Sequence, residues 1–303
     1  KERREDILTN PKRYVLAAGA VGLPPYNFGI VENKGFEMEL GWNSTIGKVN
    51  YYLKGIYAFN RNKVIEKSEA AKPYPYMYEA GLPIKQFIGY QYDGFFSSYD
   101  EIASSPQQFG LTNLKPGDIK YKDINGDGIV DENDQAPIGY STVPEMTYSL
   151  QLGASYKGFD VSVMFQGAAR SSVYLYQDLG WDNMTGNYYE EHINRWTPET
   201  AATATYPRFL QGSKESHQNY YLSDFWLKDG KYLRLKNVMI SYTFDKKMLR
   251  KTPFSSLKIF ASGFNLITWD KLKKVDPEVA PSSNTGYFYP QQRQYNMGIN
   301  VSF

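Results

Sequence analysis

The last nine residues, Tyr295-Asn296-Met297-Gly298-Ile299-Asn300-Val301-Ser302-Phe303, constrain the fold of this chain more than any other stretch. Large apolar side chains fall on every odd position and small or polar ones on every even position. Successive side chains of a strand point to opposite faces, so the segment has one apolar face and one wet face. Two architectures use such a strand: the edge of a soluble sandwich, and the wall of a bacterial outer-membrane barrel, where a terminal aromatic serves the assembly machinery. In the second case Tyr295, Met297, Ile299, Val301 and Phe303 are the assembly signal.

The rest of the chain favours the barrel. Phe36, Met38, Leu40 and Trp42 alternate with Glu37, Glu39, Gly41 and Asn43. Val49, Tyr51, Leu53, Tyr57 and Phe59 follow a turn near Gly47-Lys48, and Met146, Tyr148, Leu150, Leu152 and Tyr156 follow later. A tight turn at Lys157-Gly158 leads to Phe159, Val161, Val163 and Phe165. Further strands are expected at about 232–244 and 257–267, less cleanly alternating, with a partial one in residues 1–8. Strands of ~9–11 residues cross a bilayer when tilted. The turns near 46–48 and 157–158 are tight, whereas the links at about 61–143, 168–230 and 268–291 are long. Counting strands back from the C-terminus puts every tight turn on one side and every long link on the other, which is the layout of outer-membrane barrels. Met38, Leu40, Trp42, Tyr51, Leu53, Tyr57, Leu150, Leu152, Val161 and Val163 are then expected to face outer-membrane lipid. Glu37, Glu39, Asn50, Lys54, Ser149 and Gln151 are expected to face the lumen.

Composition narrows the functional classes. The chain has no cysteine and two histidines, which argues against thiolate chemistry and His-rich sites. A net charge of +2 advertises no nucleic-acid surface. Aromatics reach 16 %, with 27 tyrosines, as suits the interfacial girdles of a barrel. No apolar run approaches the ~20 residues of a spanning helix. Residue 1 is Lys, with no signal peptide behind it, so the chain is expected to be a piece of a longer one, with further strands upstream.

The segment Asp123-Ile124-Asn125-Gly126-Asp127-Gly128-Ile129-Val130-Asp131-Glu132-Asn133-Asp134 follows the calcium-loop pattern, with Asp in place of the final Glu. Calcium takes six to eight oxygens, supplied here by Asp123, Asn125, Asp127, Asp131 and Asp134 and by the Ile129 carbonyl. The shorter Asp134 leaves room for magnesium. The expected role is a structural clamp in an extracellular insertion, against the alternative of an Asp/Asn/Gly turn with no ion. In the 168–230 link, Trp181, Tyr188, Tyr189 and Trp196 are candidate contacts for a substrate or a lid; the alternative, which the sequence favours, is that they pack the loop onto itself. The acid pair Glu190-Glu191 has no partner that would make a catalytic set, so no enzyme is expected.

Several stretches carry a resemblance. Asn27-x-Gly29 with Asn33-Lys34-Gly35-x-Glu37, Gly89-Tyr90-x-x-Asp93-Gly94-Phe95, and Pro116 to Asp123 leading into the metal loop resemble recurrent stretches of the SusC/RagA family of TonB-linked outer-membrane transporters. So do Arg195-Trp196-Thr197-Pro198 with Tyr206-Pro207-Arg208, Leu233 to Val238, and Ala261-Ser262-Gly263-x-Asn265-Leu266, in family order along nearly the whole chain. The resemblance implies an all-β fold: the C-terminal strands of a large antiparallel transmembrane β-barrel of about 22 strands with long extracellular loops. It implies a plug domain and upstream strands outside this chain, a SusD-like surface lipoprotein as lid, TonB as energy source, and glycan oligosaccharides or peptides as substrates. The competing function is a metal-stabilised surface binding or adhesion protein without transport.

Overall fold

A computed structural model of the chain describes residues 1–9, 25–182, 188–210, 217–273, 275–278 and 291–303. Eight strands carry the architecture: β1 (Glu2–Thr9), β2 (Tyr26–Ile46), β3 (Val49–Glu66), β4 (Met146–Tyr156), β5 (Phe159–Ala169), β6 (Tyr232–Thr243), β7 (Ser256–Asp270) and β8 (Gln294–Ser302). They pair in chain order, each antiparallel to the next, in one sheet with β1 and β8 at its edges among the described residues.

Residues directly opposite one another in antiparallel strands share a face. One row runs Trp42, Leu53, Leu152, Val163, Val238, Gly263 and Tyr295 across seven strands. A neighbouring row on the other face runs Asn43, Tyr52, Gly153, Ser162, Met239, Ser262 and Asn296. The ten residues expected to face lipid all lie on the first face, and their expected lumenal partners on the second. Among the described residues nothing covers the apolar face: Leu40 is 60 % exposed, Trp42 64 % and Ile240 51 %. The polar face carries the Lys54–Glu39 ion pair at 2.8 Å, joining β3 to β2.

The two ends of the sheet differ. At one end Gly47-Lys48 closes β2–β3 with Gly47 at φ +63°, and Lys157-Gly158 closes β4–β5 with both residues in the left-handed region. Two-residue hairpins need that handedness to match the twist of the strands. Residues 244–255, with the short helix Lys246–Leu249, close β6–β7 at the same end. The long connections 67–145, 170–231 and 271–293 all leave from the other end, as does 10–25. Residues 10–24, 183–187, 211–216, 274 and 279–290 of these lie outside the described set.

Two departures from the sequence expectation have physical causes. β2 and β3 are 21 and 18 residues long, so the strand reaches past residue 61, where the connection was expected to begin. Beyond Gly35 and Asn60 the ladder continues through Lys34 opposite Arg61 and Asn33 opposite Asn62. Backbone pairing holds these residues, and no apolar face is required of them, so their strand leaves no alternation to read. The second departure is a growing bulge: two residues of β5, three of β6 and four of β7 span the same step. The odd residues Leu233 and Leu235 and the even residues Val238, Ile240 and Tyr242 thereby stay on one face. Asn265 sits in this bulge at φ +54°.

Candidate functional site

The buried apolar core lies outside the sheet. It is formed where the 67–145 and 170–231 connections fold together, around Tyr90, Ile119, Tyr121, Val130, Trp181, Tyr206, Tyr220 and Trp226. The two connections are stitched by backbone groups: Tyr90 N–H donates to the Leu222 carbonyl at 2.9 Å, and Asp224 N–H donates to the Tyr90 carbonyl at 3.2 Å. Buried amides supply further seams. Ile119 N–H donates to Asn219 Oδ1 at 2.8 Å, Gln218 Nε2 donates to the Ile119 carbonyl at 2.6 Å, and the Tyr121 hydroxyl donates to the Gln218 carbonyl at 2.7 Å. Gly89 is needed because a Cβ there would stand 2.4 Å from the Leu222 carbonyl oxygen.

This packing divides the four aromatic residues proposed for lid or substrate contact. Trp181 is 2 % exposed, with its ring 4.7 Å from that of Tyr220 and 4.8 Å from that of Tyr176. It is a core residue and offers no surface. Trp196 is half-buried against Gly117, which has φ +90° and would place a Cβ 2.5 Å from the Trp196 ring. Tyr188 and Tyr189 remain at the surface, 56 % and 36 % exposed. Apolar side chains in a loop with no strand or helix to lean on bury one another, which is the packing alternative set out from the sequence.

Asp118 is the polar centre of the same module. It is fully buried, 2.7 Å from Arg208 Nε through Oδ1, and it accepts from Arg208 Nη2 at 3.0 Å, Asn219 Nδ2 at 2.9 Å and Lys115 N–H at 2.8 Å. His217 Nε2 stands 3.9 Å away. Burial holds the His217 imidazole below its ordinary value against the pull of Asp118, and the Arg208 charge adds to the lowering. The bond from Arg208 to Asp118 spans ninety residues of chain. Sequence reasoning quoted both residues in separate motifs without pairing them, since nothing in a linear pattern marks a partner so distant.

The Asp123–Asp134 loop has the turns that its pattern demands, with Gly126 at φ +76° and Gly128 at φ +86°. Its acceptors close the loop on its own amides. Asp123 accepts from Gly126 and Gly128, Asn125 from Asp127, and Asp127 from Ile129. Asp134, fully buried, accepts from Ile124, Asn125 and Asp131, and Asp131 from Asn133. Among the described residues no three His, Cys, Asp or Glu side chains stand together as a set able to hold a metal. The donor order follows the calcium-loop pattern, while the side chains accept from the loop's own amides. The acids still share one neighbourhood: burial raises the Tyr76 phenol above its ordinary value, and Asp134, then Asp123 and Asp127, add to the rise. The Tyr76 hydroxyl donates to the Asn133 carbonyl at 2.7 Å.

No family model matches the chain. Among curated proteins it is 27 % identical over 302 aligned positions to the TonB-dependent receptor P26 of Formosa agariphila, which covers 91 % of this chain and 30 % of that receptor. It is 23 % identical over 322 positions to the TonB-dependent receptor SusC of Bacteroides thetaiotaomicron, covering 99 % of this chain and 29 % of SusC. Its fold superposes on the RagAB peptide importer with a TM-score of 0.74, at 18 % identity, over 99 % of this chain and 32 % of the matched one. The chain is a homologue of TonB-dependent receptors of the SusC type.

It is an outer-membrane β-barrel protein and contributes strands to that barrel. It spans about three tenths of the length of the curated relatives that it matches. The barrel gives the apolar face its solvent, which is lipid. It also gives a place to Arg234 in the Leu233–Val238 motif. Arg234 is 1 % exposed on the lumenal face of β6, donates to Asp276 at 2.7 Å and to Thr268 Oγ1 at 2.9 Å, and stands 3.0 Å from Glu278. Lys236 Nζ also donates to Glu278, at 2.8 Å. The 271–293 connection is thus tied down onto the top of the sheet. An arginine within a strand pattern was the available sequence signal, and its acidic partners gave none.

Proposed function

We propose that this chain takes part in TonB-dependent import of oligomeric nutrients across the outer membrane, with a SusD-like lipoprotein closing its outer mouth. One observation carries the proposal: a single sheet with a lipid-type face and a polar face bears short turns at one end and a folded two-connection module at the other. That arrangement suits a wall with a periplasmic rim and an extracellular capture surface. SusC and the RagAB importer, matched over 99 % of the chain, support the direction of transport and the lipoprotein partner. RagAB is a peptide importer. For this chain the cargo class, glycan or peptide, rests on the module surfaces.

For the 123–134 loop the proposed ion is calcium, with magnesium as competitor, acting as a clamp on the module. The register of its five oxygen side chains about two left-handed glycines supports this. Binding requires Asp123 and Asp127 to exchange amide contacts for the ion.

The test uses the whole transporter in its native host. Removing its gene should abolish uptake of one class of labelled oligomer, and loss of TonB should abolish the same uptake. A lipoprotein should co-purify with the transporter. Uptake that survives the loss of TonB would overturn the import proposal and favour a surface binding protein.

A further inference from the structure

The junction of the two connections contains a recess of about 580 Å³. Its lining includes the aromatic residues Tyr90, Phe109 and Tyr221 and the polar residues Asp131, Glu132 and Gln135. The three rings meet edge to face or tilted, with Phe109 5.0 Å from Tyr90 and 4.9 Å from Tyr221 between centroids. Phe109 is held there against its backbone preference. It lies at φ +55°, where a bulky side chain is an outlier. Its N–H donates to the Val130 carbonyl at 2.7 Å, and buried Gln108 beside it bonds both backbone groups of Tyr121 at 3.1 Å. Strained positions of this kind concentrate where a ligand is clamped.

The rim has a definite sign. Asp131 and Glu132 are its two carboxylates, and no lysine or arginine lies between residues 123 and 136 to offset them. Asp131 is engaged by Asn133, and Gln135 Nε2 donates to the Tyr90 hydroxyl at 2.9 Å. Glu132 is exposed and makes no hydrogen bond or ion pair among the described residues. Aromatic faces under a carboxylate rim attract a cation through the ring quadrupole and the charge together. The same rings would carry the methylenes of a long side chain.

We infer that this recess is a subsite for the ammonium or guanidinium side chain of a lysine or arginine in an incoming oligopeptide, which lays its stem on Phe109 and Tyr221 and its charge against Glu132. The inference deepens the import reading by naming a substrate class and rests on it for how the peptide reaches this face. The binding itself is separable, because it requires neither TonB nor transport.

The experiment measures equilibrium binding of tetralysine, its fully acetylated form and maltotetraose to the purified full-length transporter in detergent, at fixed calcium and low ionic strength. Tetralysine should bind tighter than acetylated tetralysine, and the difference should shrink as salt rises. Glu132→Gln, at an exposed position that leaves the packing alone, should weaken tetralysine binding about fivefold and leave acetylated tetralysine unchanged. Tyr221→Leu, which keeps the wall apolar, should weaken it by a similar factor. Equal affinity for the two peptides, or an unaltered affinity in Glu132→Gln, overturns the subsite. Tighter binding of maltotetraose that depends on Tyr221 but not on Glu132 overturns it in favour of a sugar. Tetralysine binding with the expected variants but no TonB-dependent uptake upholds the subsite and refutes the import reading instead.

Discussion

Replacing Asp118 by Asn should loosen the loop module and leave the barrel wall intact. The carboxylate is fully buried and holds two connections together through Arg208 and Asn219. Asn preserves the shape and an acceptor oxygen while leaving the Arg208 guanidinium uncompensated. Removing one member of a buried pair costs about 3–5 kcal/mol. The Arg208 side chain is 20 % exposed, so water recovers part of that, and the lower figure of about 3 kcal/mol applies. A change of that size raises the open fraction of the module by about two orders of magnitude. The assay is native-state proteolysis of the purified transporter, which follows the open population when closing is fast. Cleavage within 170–231 should accelerate about a hundredfold, while the heat-dependent gel shift of the folded barrel stays as in the parent, because no strand pairing involves residue 118. Arg208→Met should do comparable damage, and the double variant should be less harmful than the sum of the two. Cleavage that rises less than about threefold in Asp118→Asn, or strict additivity in the double variant, would refute the argument that this pair latches the module.

Leu53→Arg puts a charge on the lipid face at a cost of ~2–4 kcal/mol near the midplane, whereas Lys54→Leu only removes the pair with Glu39. Outer-membrane yield should fall much further in the first, and equal yields would refute the facing. Glu101 is held at about 2 by the hydrogen bond from Lys120 and then by those from Ser97, so its contribution is complete above the ordinary glutamate value and is lost as pH falls from there through about 2. Amide protection over 97–121, taken relative to the intrinsic exchange rate at each pH, should therefore fall on acidification in that window, and Glu101→Gln should flatten the dependence; an unchanged slope in the variant would exclude the Glu101–Lys120 contact as its source. Calcium added to the transporter should release heat of binding and protect 118–136 from protease, with both effects lost in Asp127→Ala; no heat and no protection would leave the loop as an amide-closed turn.

The wall was legible because each of its faces meets a single solvent. Lipid on one side and water on the other impose a two-residue period, so Leu53 and Lys54 declare their faces without any knowledge of the partner strand. Legibility ended where that demand ended. The ladder through Lys34 and Arg61 is as regular as the rest, yet it stands between polar surroundings on both sides and shows no period. The module was opaque for a different reason. Trp181 reads as a candidate contact because a loop aromatic carries no sign of whether it is covered, and what covers it includes Tyr220, thirty-nine positions along the chain. The Asp118–Arg208 pair and the recess beside Phe109 are likewise products of two connections meeting, and each connection alone is silent about the other.

The bulge of β6 makes the strand behave like a reading frame. Up to Leu235 the lipid-facing residues are odd, and from Val238 onward they are even, so Lys236 is a frame shift in the sequence that the bulge absorbs, which keeps both halves in phase with the membrane. Straightening the bulge with Lys236 retained would turn the far half of the strand inside out, with Val238, Ile240 and Tyr242 presented to water and Met239 and Ser241 to lipid, whereas deleting Lys236 would join Leu235 to Asn237 in unbroken alternation and leave both halves in phase. An extra residue that needs no device in the loops is therefore tolerated in the wall only where a bulge takes it up.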